Sequence, residues 1–158
     1  MTKKIVIMGL FSGFFMVLPF RLSAQTAVKL ETLLNETALS WSTAAVFVLE
    51  ASDTGAYSDP SEAFSFAQEH KWLPKNVSPE DSARLNGIAL LLMRSFDQKG
   101  GLFYSIAKSP HHAYRELAYK GVIRGKADPD MSVSGQELLL MIGRLLDQKE
   151  QTELQAVQ

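Results

Sequence analysis

The chain has 158 residues, of which 46% are apolar and 21% are charged, and it contains no cysteine. The lack of cysteine excludes a disulfide scaffold, a cysteine nucleophile and a cysteine-ligated zinc site. The formal net charge is −1, from 16 basic and 17 acidic residues, so the composition offers no polycationic surface for nucleic acid. Length and composition predict one globular domain of about 130 residues behind a leader.

The N-terminus has the three-part layout of a secretory signal peptide. Two lysines precede an apolar stretch, residues 5–20, and the small residue Ala24 offers a cleavage position. We therefore expect residues 1–24 to be a signal peptide cleaved after Ala24, and the protein to be exported to the periplasm or cell envelope. Cleavage changes the formal net charge from −1 to −4, because three basic residues leave with the leader. Arg21 is atypical beside a cleavage position and favours the alternative, a retained membrane anchor.

The sequence after the leader repeats itself at a spacing of 50 residues. When residues 58–99 are aligned with residues 108–149 without gaps, nine of the 42 positions are identical. Average residue usage gives roughly two or three identities by chance. A third, partial copy precedes them, since residues 40–53 align with residues 84–97. Its first half would fall on the signal peptide, so we expect this half unit to lack its first helix.

These boundaries predict a single domain over residues 25–149, followed by a frayed tail over residues 150–158. The domain divides into a half unit, unit one and unit two, which are residues 40–57, 58–107 and 108–149. Each full unit is predicted to be two helices joined by a loop. The fold class is therefore all-α, a small bundle of helix–loop–helix repeats.

In unit one, Ser61 is a candidate cap for a first helix that runs to about His70. The second helix is predicted to begin at Ser78, where a serine precedes a proline and an acid, and to end at Asp97. Residues 102–107 come after two glycines and are predicted to form a short extended connector.

In unit two, Ser109 precedes a proline and is predicted to open a helix that runs to about Lys120. The second helix begins with Ser134 and Glu137, which have the spacing of a capping box. In that motif the serine side chain accepts from the glutamate amide, while the glutamate reaches back to the serine amide.

Unit two also carries a series of motifs in a recognisable order. The first motif is Gly-Val-Ile-Arg-Gly at residues 121–125, and the next is an Asp-Pro-Asp loop at residues 128–130. The second helix then starts at residues 133–137, and Arg144 lies near its predicted end. This order resembles the S-layer homology (SLH) repeat. The resemblance implies noncatalytic modules of three repeats with threefold pseudo-symmetry that anchor proteins to cell-wall polymers.

Other residue types occupy the two positions of this chain that align with the family's motif arginine. It would lie at Leu85 in unit one and at Gly135 in unit two. An arginine there would bind acidic wall sugars in the family, and this chain departs from the pattern at both positions.

Five residues are candidate ligand contacts. Four are charged loop residues, and loops on a rigid scaffold commonly carry binding groups; they are Lys75, Arg124, Lys126 and Asp128. The fifth, Trp72, has an aromatic face suited to a sugar ring. Its aligned partner is Val122, which favours a core position for Trp72 instead.

Arg94 and Arg144 occupy the same position in the two units. Each guanidinium has the geometry for an anionic sugar or a peptidoglycan carboxylate. Each also lies near an aspartate and the end of a helix, and an ion pair or a helix C-terminal carbonyl is the interpretation we favour.

The half unit supplies a second hypothesis. If its first helix is missing, Val46, Val48 and Leu49 lie on an exposed apolar surface, which a partner would cover. That partner is either a second copy of the chain or another envelope protein.

These features favour two classes of function. The leading hypothesis is a noncatalytic cell-envelope module that binds a cell-wall or periplasmic polymer, such as peptidoglycan or an associated glycan. The alternative is a protein–protein interaction subunit of an envelope assembly. We expect no enzyme activity, no cofactor, no metal and no nucleic-acid partner, because the sequence shows no phosphate loop, dinucleotide motif or nucleophile elbow.

Overall fold

A computed structural model of the chain describes residues 20–125 and 127–156. Within these residues the chain forms seven helices and no β-strand, which confirms the all-α prediction. The helices are α1 (Phe20–Asn35), α2 (Trp41–Ala51), α3 (Pro60–Glu69), α4 (Leu85–Ser95), α5 (Leu102–Ala107), α6 (Pro110–Tyr119) and α7 (Gly135–Ala156). None of the helices in this part of the chain has the length and apolar character of a membrane span. Most of the predicted signal peptide lies outside the described residues.

The main helices pack in pairs. The second helix of each predicted unit lies against the first helix of another: α2 against α3, α4 against α6, and α7 against α1. Helix α2 also contacts α4 and α7. Helices α2 and α4 are apolar on nearly every side and are largely buried, as expected for helices that pack on several neighbours.

A closed ring of three backbone hydrogen bonds joins the residues that precede α2, α4 and α7. The Leu39 N–H donates to the Val133 carbonyl (2.9 Å), Val133 donates to Ala83 (3.0 Å), and Ala83 donates to Leu39 (2.7 Å). All three side chains are fully buried. Each of these residues directly precedes one of the three segments that the sequence alignment matched. The ring therefore fixes the three helix starts relative to one another.

The start of α4 was predicted wrongly. We expected the helix to begin at Ser78, but it begins at Leu85. The amide of Leu85 donates to the Met131 carbonyl (3.0 Å), and the amide of Asn86 donates to Pro129 (2.8 Å). These two carbonyl acceptors, from a distant segment, satisfy orphan N–H groups of the first turn, so no local capping serine is needed.

Two helix caps in unit two agree with prediction. Ser109 precedes α6 and its hydroxyl accepts from the His112 amide. Ser134 and Glu137 form the capping box, with the Glu137 amide donating to the Ser134 hydroxyl (3.3 Å) and the Ser134 amide donating to Glu137 Oε2 (3.0 Å). The cap of α3 differs, since Asp59 rather than Ser61 caps the helix.

Two segments that we predicted to be irregular are helical. Residues 102–107 form α5 rather than an extended connector, and α7 continues through most of the predicted tail to Ala156. The sequence from Asp147 to Ala156 contains no glycine or proline, so nothing in it breaks the helix.

The predicted partner surface is part of the core. Val46 is 7% exposed, and Val48 and Leu49 are fully buried. Helix α1 lies against α7, and its Leu33 is also fully buried in the core. The helix that we expected the half unit to lack is therefore present within the chain, and the predicted cleavage position, Ala24, lies inside it.

Candidate functional site

A polar cleft of about 600 Å³ opens at the C-terminal end of α4. We call it the Arg94 cleft. The side chains that give it its chemical character are Trp72, Arg94, Asp97, Lys99, Tyr104 and Lys108. Three of these carry positive charge and one carries negative charge, so the cleft attracts anions although the whole chain is slightly acidic.

Two hydrogen-bonding groups in the wall of this cleft have no partner. Arg94 Nε and the Tyr104 hydroxyl are both buried, and neither makes a hydrogen bond to any of the described residues. Tyr104 as a whole is only 4% exposed. Buried polar groups in folded proteins are nearly always hydrogen-bonded, so two unpaired groups at one cleft call for an explanation.

Tyr104 reaches the cleft because two glycines precede its helix. A Cβ atom at Gly100 would overlap the Tyr104 ring, and one at Gly101 would lie 2.9 Å from a carboxylate oxygen of Glu116. The short helix α5 then ends at Lys108, which has a left-handed backbone conformation (φ 41°). The missing side chain at position 100 therefore leaves the space that the phenol ring fills, and the missing side chain at position 101 leaves space for the Glu116 carboxylate.

The phenol of Tyr104 stays protonated in neutral solution. Burial raises its pKa above the ordinary value of 10.0; the nearby Arg94 charge opposes the shift, while Asp97 and Glu116 reinforce it. The hydroxyl is therefore a neutral, buried group with no hydrogen-bond partner among the described residues.

Lys120 fixes the turn that forms one edge of the cleft. Its Nζ donates to Gln98 Oε1 (3.0 Å) and to the Lys99 carbonyl (2.6 Å). Partial burial lowers the pKa of Lys120, and the Glu116 carboxylate partly offsets that effect. These contacts hold the backbone that connects α4 to α5.

Trp72 belongs to an aromatic cluster beside the cleft. Its ring meets Phe66 edge-on at 5.6 Å between centroids, and Phe66 stacks on His70 at 4.0 Å. Trp72 is half-buried, so it packs against this cluster and also lines the cleft. The tryptophan thus combines features of both interpretations of the sequence.

The aligned arginine in unit two is already engaged. Arg144 Nη1 donates to the Val122 carbonyl at 2.7 Å. Val122 is the aligned counterpart of Trp72. Arg144 therefore has a structural partner, but this partner is a loop carbonyl rather than the aspartate or helix C-terminal carbonyl that we predicted. Nε of Arg94, in contrast, is unpaired, and its side chain lines a cleft.

A second cleft of about 370 Å³ lies at the opposite end of α4. Arg84, Asn86 and Asp130 line it, together with Trp41. The Arg84 guanidinium donates to the Asp130 carbonyl, and Asn86 Nδ2 donates to Asp130 Oδ1 at 2.9 Å. Arg84 and Asn86 therefore both already donate to Asp130.

The two positions of the SLH motif arginine are closed in this fold. Leu85 is 5% exposed and forms part of the core. A Cβ atom at Gly135 would overlap the backbone carbonyl of Leu33 in α1, so no side chain fits there without movement of α1 or α7.

The predicted ligand residues do not converge. Lys75 and Arg124 are exposed, and Arg124 Nε donates to the Gly121 carbonyl at 3.3 Å. Asp128 is also exposed, and its Oδ1 accepts from the Asp130 amide at 2.9 Å. Trp72 alone among the described candidates lines the Arg94 cleft. The fifth candidate, Lys126, lies outside the described residues.

Sequence reasoning missed Tyr104 and Lys108, because residues 102–107 read as an extended connector. The available signal was the Gly100-Gly101 pair, which stands where unit two has Glu150 and Gln151. Within the described part of the chain, no group of three or more histidine, aspartate or glutamate side chains could hold a metal ion.

Comparison with known proteins found no matching family model, no similar curated protein and no similar solved structure. The SLH resemblance and the internal duplication therefore stay predictions from the sequence. The site is defined by its own geometry.

Proposed function

We propose that this chain is a noncatalytic module, exported to the cell envelope, that binds a cell-wall or periplasmic polymer. The observation that carries the proposal is the Arg94 cleft. It combines the half-buried ring of Trp72 with a net positive lining and two unpartnered buried groups. The SLH-like motifs and the signal-peptide-like N-terminus supply the expected location.

The chemistry of the cleft suits a polysaccharide or glycopeptide. Aromatic faces pack well against sugar rings, which have apolar C–H faces and polar edges. A guanidinium recognises anionic groups with directional hydrogen bonds.

Co-sedimentation with isolated peptidoglycan sacculi tests the proposal. The protein is purified in the form that exporting cells release, and its intact mass shows whether cleavage occurs after Ala24. We expect saturable binding that weakens as salt rises, because exposed charge contacts are screened. No binding at low salt would contradict the proposal for peptidoglycan.

A matched pair of variants ties the binding to the cleft. The double variant Lys99→Ala/Lys108→Ala removes two cations from the lining. Lys75→Ala removes an exposed cation outside the cleft. We expect the double variant to weaken binding severalfold and Lys75→Ala to leave it unchanged. Equal losses in both would show that general charge, rather than the cleft, holds the polymer.

A second candidate function is an interaction subunit of an envelope assembly. Its first support, an exposed apolar half unit, is lost because Val46 is buried. A different feature favours it: α5 presents three large apolar side chains, Leu102, Phe103 and Ile106, each more than 70% exposed. Exposed apolar clusters of this kind often mark contact surfaces.

Site-specific photo-crosslinking in intact cells tests this second candidate. A crosslinker at Phe103 is expected to capture a discrete protein, while the same group at Lys75 captures none. A crosslinking pattern that is the same at both positions would remove the support for a protein partner on α5.

A further inference from the structure

We infer that α5 attaches the protein to the surface of an anionic lipid bilayer, with Leu102, Phe103 and Ile106 inserted among the lipids and the neighbouring cations at the headgroups. The inference goes beyond the proposed polymer function, because it concerns the apolar face of α5 rather than the Arg94 cleft. A bilayer and the protein partner of the second candidate function would cover the same side chains, so each excludes the other.

Helix α5 turns its apolar side away from the core. Leu102, Phe103 and Ile106 are 72%, 72% and 76% exposed, whereas Tyr104 is 4% exposed. A helix turns by about 100° per residue, which places the three exposed side chains on one side and Tyr104 on the opposite side. The tyrosine therefore holds α5 on the protein, while the large apolar groups face the surroundings. This is the reverse of an ordinary surface helix, whose apolar side faces the core.

Positive charge is concentrated around this apolar face. Lys99 precedes α5 by three residues, Lys108 follows it directly, and both are exposed. Residues 98–120 contain four basic residues and one acidic residue, which gives a formal charge of +3, whereas the whole chain carries −1. The segment that exposes the apolar groups is therefore also the segment that attracts an anionic surface.

Helix α6 extends this surface. The His112 ring stacks on Phe103 with 6.3 Å between the ring centroids. Arg115 follows His112 by three residues, so it is a neighbour of His112 on the helix surface, and it is exposed. Tyr119 follows one turn later and is 91% exposed. Arginine and tyrosine side chains are both typical of the boundary between lipid and water.

An apolar group surrounded by cations matches an anionic bilayer. Helices at membrane surfaces bury their apolar side chains about 5–10 Å into the boundary between headgroups and acyl chains, and lysine and arginine add attraction to anionic lipids. Three side chains on one turn are far fewer than the roughly 20–30 residues that each partner contributes to a stable protein interface. A fluid bilayer needs no complementary shape, so the small apolar area of α5 is sufficient for a reversible attachment.

Co-sedimentation with lipid vesicles tests the inference. The vesicles consist of phosphatidylcholine alone or of phosphatidylcholine and phosphatidylglycerol in equal parts. We expect binding to the anionic vesicles to be at least tenfold tighter, and to weaken as salt rises. Equal binding to both kinds of vesicle, or binding to neither, would overturn the inference. All variants share the same N-terminus, so any affinity of residues 1–24 for lipid contributes equally to each.

Substitution of the apolar face tests whether α5 makes the contact. Phe103→Ser is expected to weaken vesicle binding by about tenfold or more, because it removes a ring that the lipids would cover. Leu154→Ser is the matched control, since Leu154 is also exposed (62%) but lies on α7. Both side chains are largely exposed in the folded protein, so neither change is expected to unfold it. Equal losses in the two variants would overturn the inference.

Charge reversal tests the surrounding cations. Lys108→Glu is expected to weaken binding to anionic vesicles by about tenfold or more, because it replaces an attraction with a repulsion. Lys75→Glu is the control, since Lys75 is an exposed cation outside residues 98–120. A loss in Lys75→Glu as large as that in Lys108→Glu would show attraction by overall charge and would contradict the assignment to α5.

A fluorescence measurement shows whether α5 enters the bilayer. Phe103→Trp places a tryptophan on the apolar face, and lipids with brominated acyl chains are expected to quench it. Leu154→Trp is the control and is expected to escape quenching. Trp41 and Trp72 contribute the same background to both variants. Vesicle binding without quenching at position 103 would mean adsorption by charge alone and would overturn the insertion of α5.

Two further outcomes would assign α5 a different occupant. If vesicles do not bind and Phe103→Ser dissolves a dimer seen by analytical ultracentrifugation, a second copy of the chain covers α5 and the inference is wrong. If vesicles do not bind and a photo-crosslinker at Phe103 captures a discrete protein, the protein partner is correct instead. Binding to sacculi is expected to persist in Phe103→Ser, because Phe103 does not line the Arg94 cleft. Failure of the polymer function and failure of the membrane contact are therefore distinguishable.

Discussion

The same three residues, Asp-Gln-Lys, stand at positions 97–99 and 147–149, yet the chain takes opposite courses after them. After the first, Gly100 comes next and the chain turns into α5. After the second, Glu150 comes next and α7 continues to Ala156. The Arg94 cleft exists only where the chain turns. Residues just outside the matched segment therefore decide whether an arginine of the repeat supports the fold or lines a cleft.

Contacts at the glutamine of this tripeptide are related but not identical. Gln98 accepts a hydrogen bond from Lys120 Nζ at 3.0 Å, while Gln148 donates to the Lys120 carbonyl at 2.9 Å. One lysine thus lies between the segment after α4 and the middle of α7. The two tripeptides share a neighbour, so the difference in course arises from the residues after them.

The largest expected effect concerns the starts of the two helices. Leu85 carries a side chain at the position where α7 has Gly135. Because a Cβ at Gly135 would overlap the Leu33 carbonyl, Gly135→Ala is expected to cost about 3 kcal/mol or more of unfolding free energy, at the upper end of overpacking effects. Urea denaturation measures the loss. A change below about 0.5 kcal/mol would show that α1 can move aside.

The next effect tests the turn that creates the cleft. Gly100→Ala places a methyl group against the Tyr104 ring and is expected to destabilise the fold by about 1–3 kcal/mol. Gly143→Ala is the control, since a Cβ there meets nothing within 4 Å and lies inside α7. It is expected to stabilise the protein by about 0.5–1 kcal/mol. Destabilisation by both would implicate helix α7 rather than the space beside Tyr104.

An effect of similar size separates the two arginines. Arg144→Gln removes a charged donor to the Val122 carbonyl and is expected to cost about 1.5–3 kcal/mol. Arg94→Gln removes a group whose Nε has no partner and is expected to change stability by less than about 0.5 kcal/mol. Thermal and urea unfolding of both variants give the comparison. Equal losses would mean that both arginines support the fold.

The smallest effect is the response to alkaline pH. Because burial raises the Tyr104 pKa, the folded state favours the neutral phenol; this stabilisation is complete below about pH 10 and is lost as pH rises through the folded pKa. Absorbance of tyrosinate is expected to show one of the four tyrosines ionising late, and Tyr104→Phe to remove that step. Lys120 contributes with the opposite sign, since its pKa is lowered, so the variant is needed to isolate the tyrosine. An unchanged titration in Tyr104→Phe would contradict the assignment.

Local sequence signals predicted the elements that depend on local contacts. Ser109 and the Ser134–Glu137 pair mark helix starts because their side chains bond to amides three residues away. The start of α4 was missed because its first amides donate to Met131 and Pro129, far along the chain. An amide that donates to a residue so far along the chain leaves no local sequence pattern from which the helix start could be predicted.

Only part of the candidate site was predicted, because the rest depends on contacts that form only in the folded chain. Arg94 stood out through its alignment with Arg144, and Trp72 through its aromatic side chain. Tyr104 was missed because its burial depends on space beside Gly100, which only the folded chain reveals. Val46 was misplaced because the burial of α2 depends on neighbouring helices in the same chain, including the unpredicted α1.

The hydrogen-bonded ring of Leu39, Ala83 and Val133 has a consequence for biosynthesis. The ring cannot close until position 133 has been synthesised, and α7, which packs on α1, comes later still. Contacts between the two ends of a chain also form slowly, because a long loop must close first. The nascent chain therefore remains without its central closure during most of translation.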